Sequence, residues 1–202
     1  MRAIVFSGPG EFSLTEVPDP VPGVARSDGS TAELVRSPAK NLHRLPSSVD
    51  LALAALIEPL SCAIHAYDLL PRLLGAHYLI YGAGTMGLIM AQLALEAIED
   101  GLHRVRRGGT FQQFGVAPSD AQARFSQFRI YNDELTVVGS MAVLHSYARA
   151  VDMFVAGALN AKAMVSHAYA LADYGKAIET FRAGTGRKVQ IRPQARESME
   201  LL

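Results

Sequence analysis

The stretch "YLIYGAGTMGLIMAQLAL", residues 78–95, decides the fold. It places an apolar run before Gly82, Gly84 and Gly87 in the spacing G-x-G-x-x-G, and a helix-like run after them. Each glycine has a separate task in such a turn. Gly82 permits the tight bend. Gly84 lets backbone N–H groups come close to phosphate oxygens, and Gly87 lets the helix lie close on its strand. The N-terminus that follows carries partial positive charge, which favours an anion such as a dinucleotide pyrophosphate. Thr85 and Met86 complete that first turn. The same glycines also suit a turn that only packs a helix on a sheet, and the residues alone leave both uses open.

The pattern asks for an acidic residue about twenty positions on, at the end of a second strand, to hold the adenosine ribose. That neighbourhood reads "EDGLHRVRRGGTF". Glu99 and Asp100 lie inside a predicted helix over 85–107. At about 1.5 Å per residue they are roughly 20 Å from the turn, too far to reach the ribose. Arg104, Arg106 and Arg107 read as cations at a helix C-terminus closed by Gly108-Gly109.

Outward from this unit the chain alternates strands and helices. "RAIVF" and "FSLTEV" predict an N-terminal hairpin across "SGPGE". Residues 18–30 read as loop, and "TAELVRSP" as another strand. Ser47 with Asp50 has capping-box spacing. Glu58-Pro59 interrupts the following apolar run, so a second helix is expected to start at Pro59. "HYLIYG", "TFQQFGV" and "LTVVGSM" predict parallel strands, with a short turn of helix between the last two. Helices are expected at 145–156 and 172–182, closed by Gly157 and Gly184. "MVSHAYA" and "RKVQIRP" are further strands, and the tail "QARESMELL" reads as frayed.

The composition excludes several classes. The chain has 202 residues, half of them hydrophobic, and 19 basic against 19 acidic side chains. A neutral chain offers no electrostatic case for nucleic acid or an anionic membrane surface. One cysteine, Cys62, rules out a disulfide framework and points to a reducing, cytoplasmic setting. Residues 78–95 are uncharged and just reach the length of a membrane span, about 18 residues. Three glycines make strand, turn and helix the better account.

These segments resemble a known family. "EPLSCAIHAYDLL" followed by "YLIYGAGTMGLIMAQLA" is similar to zinc-dependent medium-chain dehydrogenases/reductases, above all their alcohol and polyol (sorbitol-dehydrogenase-like) branch. So are "MRAIVFSGPGEFSLTEVPDPVPG", "AELVRSPAKNLHRLP", "RVRRGGTFQQFGV", "ELTVVGSM" and "GRKVQIRP". The resemblance implies an α/β fold: a reduced Rossmann-like parallel sheet with helices over 47–157, and a small β remnant of a GroES-like catalytic domain from 1–46 and 158–202. It implies NAD or NADP as cofactor and an alcohol or polyol as substrate. It places Gly115-Val116 and Gly139-Ser140 beside the nicotinamide, although both pairs also suit ordinary strand-to-loop positions. It puts Glu58 at the catalytic zinc. Glu58 reads equally as an acidic cap on the helix that starts with Pro59.

Family members are far longer, and two blocks have no counterpart here. One falls between 21–23 and 30–35 and would carry the remaining zinc ligands and a four-cysteine structural zinc loop. The other falls near Leu95 and would carry the ribose-binding acid. Zinc needs roughly three protein ligands and one open position. Cys62 is expected to face the apolar stripe of its helix, and His65 lies about 10 Å from Glu58 along the axis. No catalytic residue stands out. A noncatalytic scaffold that at most holds nucleotide at its glycine turn is therefore the alternative to an NAD(P)-dependent dehydrogenase. Strand edges left bare by the missing blocks favour a homo-oligomer.

Overall fold

The computed structural model describes residues 1–21, 31–71, 77, 78, 80, 84–93, 105–114, 119–120, 126–142 and 145–200. In chain order these contain β1 (Arg2–Gly8), β2 (Glu11–Glu16), α1 (Leu51–Ala54), α2 (Ile57–Asp68), α3 (Thr85–Leu93) and β3 (Thr110–Gln113). Then follow α4 (Gln127–Asn132), β4 (Thr136–Gly139), α5 (Tyr147–Val155), β5 (His167–Ala170), α6 (Tyr174–Ala183), β6 (Val189–Arg192) and β7 (Met199–Glu200). The fold is mixed α/β, and the chain divides into two compact units, Met1–Leu53 with Asn160–Leu202, and Ala54–Leu159.

In the first unit β1 and β2 pair antiparallel, with Phe6 opposite Phe12. All six residues of β2 are exposed, with Glu11 and Glu16 at its ends. Beyond the other edge of β1 the expected strand "TAELVRSP" shrinks to one bridge, Ala3 to Ala32. The Ile4 amide donates to Thr31 O at 2.9 Å and the Glu33 amide to Arg2 O at 3.1 Å. The Arg2–Glu33 ion pair holds the chain there. Phe12 meets Tyr174 edge-on, with ring centroids 4.9 Å apart, which packs the hairpin on the start of α6.

β5 and β6 run parallel, as a strand–helix–strand crossover through α6 requires. Their core is Met164, Val165, Ala168, Ala170, Leu171 and Ala177. Gly184, at φ +67°, closes α6 in the left-handed region open to glycine. The tail is ordered as far as Glu200, and 201–202 lie outside the described residues. Met199 and Glu200 pair antiparallel with Ala168 and His167 as β7, and Ser198 fastens them.

In the second unit everything meets on α2. Ile57, Leu60, Ala63, Ile64 and Ala66 form its buried stripe. The Ser146 hydroxyl, at the start of α5, donates to Ser61 O at 2.8 Å, and the two hydroxyls are 2.9 Å apart, fully buried. Arg149 on α5 is ion-paired with Asp68. Tyr67 donates to Met90 O of α3 at 2.7 Å, and the Gln112 side chain of β3 donates to Ala66 O at 2.9 Å. β3 and β4 pair parallel, from Thr110 opposite Thr136 to Gln113 opposite Gly139.

Four local expectations need correction. Asp50, not Ser47, caps α1: its carboxylate accepts the Ala52 amide at 2.9 Å. α2 begins at Ile57, and Pro59 sits inside its first turn, where a missing N–H costs nothing. Val105 to Arg107 are not helical. Arg129 of α4 takes Val105 O, and Asp133 binds Arg107 and accepts the Gly108 amide, which turns the chain toward β3 instead. Of the strand expected at "HYLIYG", His77, Tyr78 and Ile80 have no strand assignment, and the edge of Tyr78 packs on Tyr67. Its other residues, like 94–104 of the expected long helix, lie outside the described ones.

The buried serine pair predicts its own test. Ser146→Ala leaves Ser61 with unsatisfied polar atoms and is expected to cost about 1–2 kcal/mol in urea unfolding. The double replacement with Ser61→Ala is expected to cost less than the sum of the two single ones.

Candidate functional site

Two groups of residues were expected to carry chemistry, and both lie in the second unit. The first is the anion turn. α3 begins immediately after Gly84, whose carbonyl accepts the Leu88 amide at 2.9 Å. The first amides of a helix have no acceptor within it, so that turn can donate to an anion. Thr85, Met86 and Gly87 form it and are half-buried. Gly84 is exposed, and a Cβ built there would meet nothing within 4 Å, so the space before the helix is open. Gly82 lies outside the described residues.

The parallel pairing of β3 and β4 brings their carboxyl ends to one edge, where α/β sheets bind ligands. A Cβ at Gly139 would also meet nothing within 4 Å. The Ser140 amide donates to Gln113 O at 3.2 Å. The Ser140 hydroxyl oxygen is buried and has no hydrogen-bond partner, which is costly unless a ligand satisfies it. Gly115 and Val116 follow β3 outside the described residues. Space at Gly84 and Gly139 and an orphaned hydroxyl at Ser140 fit a nicotinamide dinucleotide.

The second group is Glu58. It is exposed in the first turn of α2. Cys62, one turn on, does not face the apolar stripe. Its thiol donates to Glu58 Oε1 at 3.2 Å, because positions i and i+4 share a helix face. Burial, then the hydrogen bond to Glu58 and its charge, push the Cys62 thiol up to about 12. A protonated thiol is neither nucleophile nor metal ligand. Tyr147 of α5 feels the same carboxylate: burial first, and Glu58 second, raise its phenol. Sequence spacing could not reveal this neighbour, since it depends on the packing of α5 against α2.

His43 and His145 are exposed, and His167 is hydrogen-bonded to Ser166 Oγ at 2.9 Å in the other unit. Among the described residues, no three His, Cys, Asp or Glu side chains are grouped to hold a metal ion. The donors among the described residues do not fit a catalytic zinc. Among the described residues no helix is long and apolar enough to cross a membrane.

With this geometry in hand, comparison with known proteins is informative. No protein-family model matches the chain. Among curated proteins it is 25% identical to D-arabinitol dehydrogenase 1 of Uromyces fabae, over 82% of this chain and 65% of that protein. It is 23% identical to sorbitol dehydrogenase of Halalkalibacterium halodurans, over 83% of this chain and 66% of that one. A solved structure from Sinorhizobium meliloti, described as a zinc-binding dehydrogenase bound to NADP, superposes with a TM-score of 0.71. That match has 22% identity and covers 78% of this chain and 64% of the other.

The mixed α/β fold is one that solved dehydrogenases share. The curated relatives this chain matches are polyol dehydrogenases, and a zinc-binding dehydrogenase shares its fold. The chain spans about two-thirds of the length of the curated relatives it matches. The alignment with D-arabinitol dehydrogenase 1 runs over 228 positions yet takes up only 82% of this chain. The relative therefore carries residues within the matched stretch that have no counterpart here.

The raised thiol gives a chemical prediction. At pH 8 Cys62 is expected to react with iodoacetamide about a hundredfold or more slower than a free thiol. Glu58→Gln is expected to speed the reaction, which mass spectrometry follows directly.

Proposed function

We propose that this chain binds NAD or NADP and is an NAD(P)-dependent alcohol or polyol dehydrogenase by descent. Residues 47–157 serve as a reduced nucleotide-binding domain, and 1–46 with 158–202 as a remnant of the catalytic domain. The observation that carries the reading is the orphaned Ser140 hydroxyl at the shared carboxyl edge of two parallel strands. The open first turn of α3 in the same unit supports it.

In this reading the turn Gly82–Gly87 donates backbone N–H groups to the pyrophosphate. Gly115, Val116 and Gly139 leave room for the nicotinamide, and Ser140 donates its hydroxyl hydrogen to a polar atom of that half of the cofactor. When bound, the nicotinamide ring accepts a hydride from an alcohol carbon. D-Arabinitol and sorbitol, named for the relatives, are the first substrates to try. The single cysteine is in keeping with a cytoplasmic setting.

A second reading has its own support. Glu58 is engaged by Cys62, and no zinc cage forms around it among the described residues. Without a metal to polarise the alcohol oxygen, the scaffold holds nucleotide and turns nothing over.

Titration of NADH fluorescence separates these readings. Saturable binding is expected, weakened about tenfold by Gly84→Val, which fills the phosphate approach, and less by Ser140→Ala. NAD reduction is then measured against a polyol panel with and without added zinc. Turnover supports the dehydrogenase, and binding without turnover supports the scaffold. Failure to bind at millimolar NADH removes the dehydrogenase and leaves a scaffold whose glycine turn only packs.

A further inference from the structure

The C-terminal segment of the first unit has features of a removable part. β7 is two residues long and pairs with His167 and Ala168 on one side of β5, whose other side is taken by β6. Its hold on the unit is mostly polar. The Ser198 hydroxyl accepts the Ala170 amide at 3.0 Å and donates to Asp173 Oδ2 at 2.6 Å. Lys176, at 2.7 Å, and Ser198 keep the Asp173 carboxyl below the usual range, so it is a charged acceptor at neutral pH. The Gln194 side chain donates to Glu33 O at 2.9 Å, and this bond is exposed. Met199 is 48% exposed and so adds little apolar burial. Segments held by few apolar contacts and by solvent-exposed hydrogen bonds open at far lower cost than the core.

We infer that the outer edge of β5 is a strand-accepting site, filled in each chain by its own residues 194–200 and able to take the same segment of a second copy. Strand addition draws affinity from backbone hydrogen bonds and specificity from side-chain positions. Here the specific position is 198. A hydroxyl there satisfies the Ala170 N–H and the Asp173 carboxylate together, which few residue types can do. The tail of another copy offers the identical set of partners, so exchange needs no new surface. The apolar hollow beside β1, of about 420 Å³, is the other large feature of this unit, but nothing in the structure shows what covers it.

The test uses the full chain and a fluorescent peptide with the sequence of residues 194–200. Ser198→Ala loosens the internal strap while leaving the acceptor edge intact. That variant is expected to bind the peptide about tenfold more tightly than the parent chain, by fluorescence anisotropy. Its Ala170 amide is expected to exchange hydrogen at least about tenfold faster, and peptide should restore the protection. Met199→Pro breaks the β7 pairing by another route and is expected to give the same gain. A peptide carrying alanine at position 198 should bind more weakly. Equal binding by parent and both variants, no binding by any, or unchanged Ala170 exchange in Ser198→Ala would overturn the inference. So would loss of the folded circular dichroism spectrum in both variants, since the segment would then be an integral strand.

Discussion

The second unit depends on one helix being held in one place. α2 packs through small residues, Ala63 and Ala66, which bring neighbouring backbones close. The fully buried Ser61–Ser146 pair, at 2.8–2.9 Å, sets where along α2 the helix α5 rests. A slip of either helix would bury two hydroxyls without partners, which costs more than the bonds themselves gain. Tyr67 and Gln112 then fix α3 and β3 to the same helix. The anion turn and the carboxyl ends of β3 and β4 are thus positioned from a common reference.

Much of this was legible from local chemistry. The glycine triad before an apolar run marks the start of α3, and Gly157 and Gly184 mark the ends of α5 and α6 because a left-handed residue stops a helix. The readings that failed were those where a distant partner competes with local preference. Val105 looks helical until the Arg129 side chain claims its carbonyl. The tail looks frayed until Ser198 finds Asp173, twenty-five positions back. Ser47 with Asp50 has capping-box spacing, and only the backbone path shows that Asp50 itself caps the helix.

The candidate site was legible by halves. The nucleotide side rests on backbone geometry, which glycines announce in any sequence. Ser140 was named from resemblance alone, and its unpartnered oxygen became visible only with the strands in place. The metal side rests on side chains converging from distant segments, which spacing cannot display. Glu58 was named from resemblance, and in the structure it accepts a hydrogen bond from Cys62, a proton donor.

The hairpin carries a consequence for crowding. β2 turns an unpaired row of amides and carbonyls to water, the kind of margin on which sheets of different molecules zip together. A symmetric antiparallel meeting of two such strands would set each Glu11 against a Glu16. Carboxylates facing one another repel, and here they sit at both ends of the contact. Two acids thus act as fenders against that pairing.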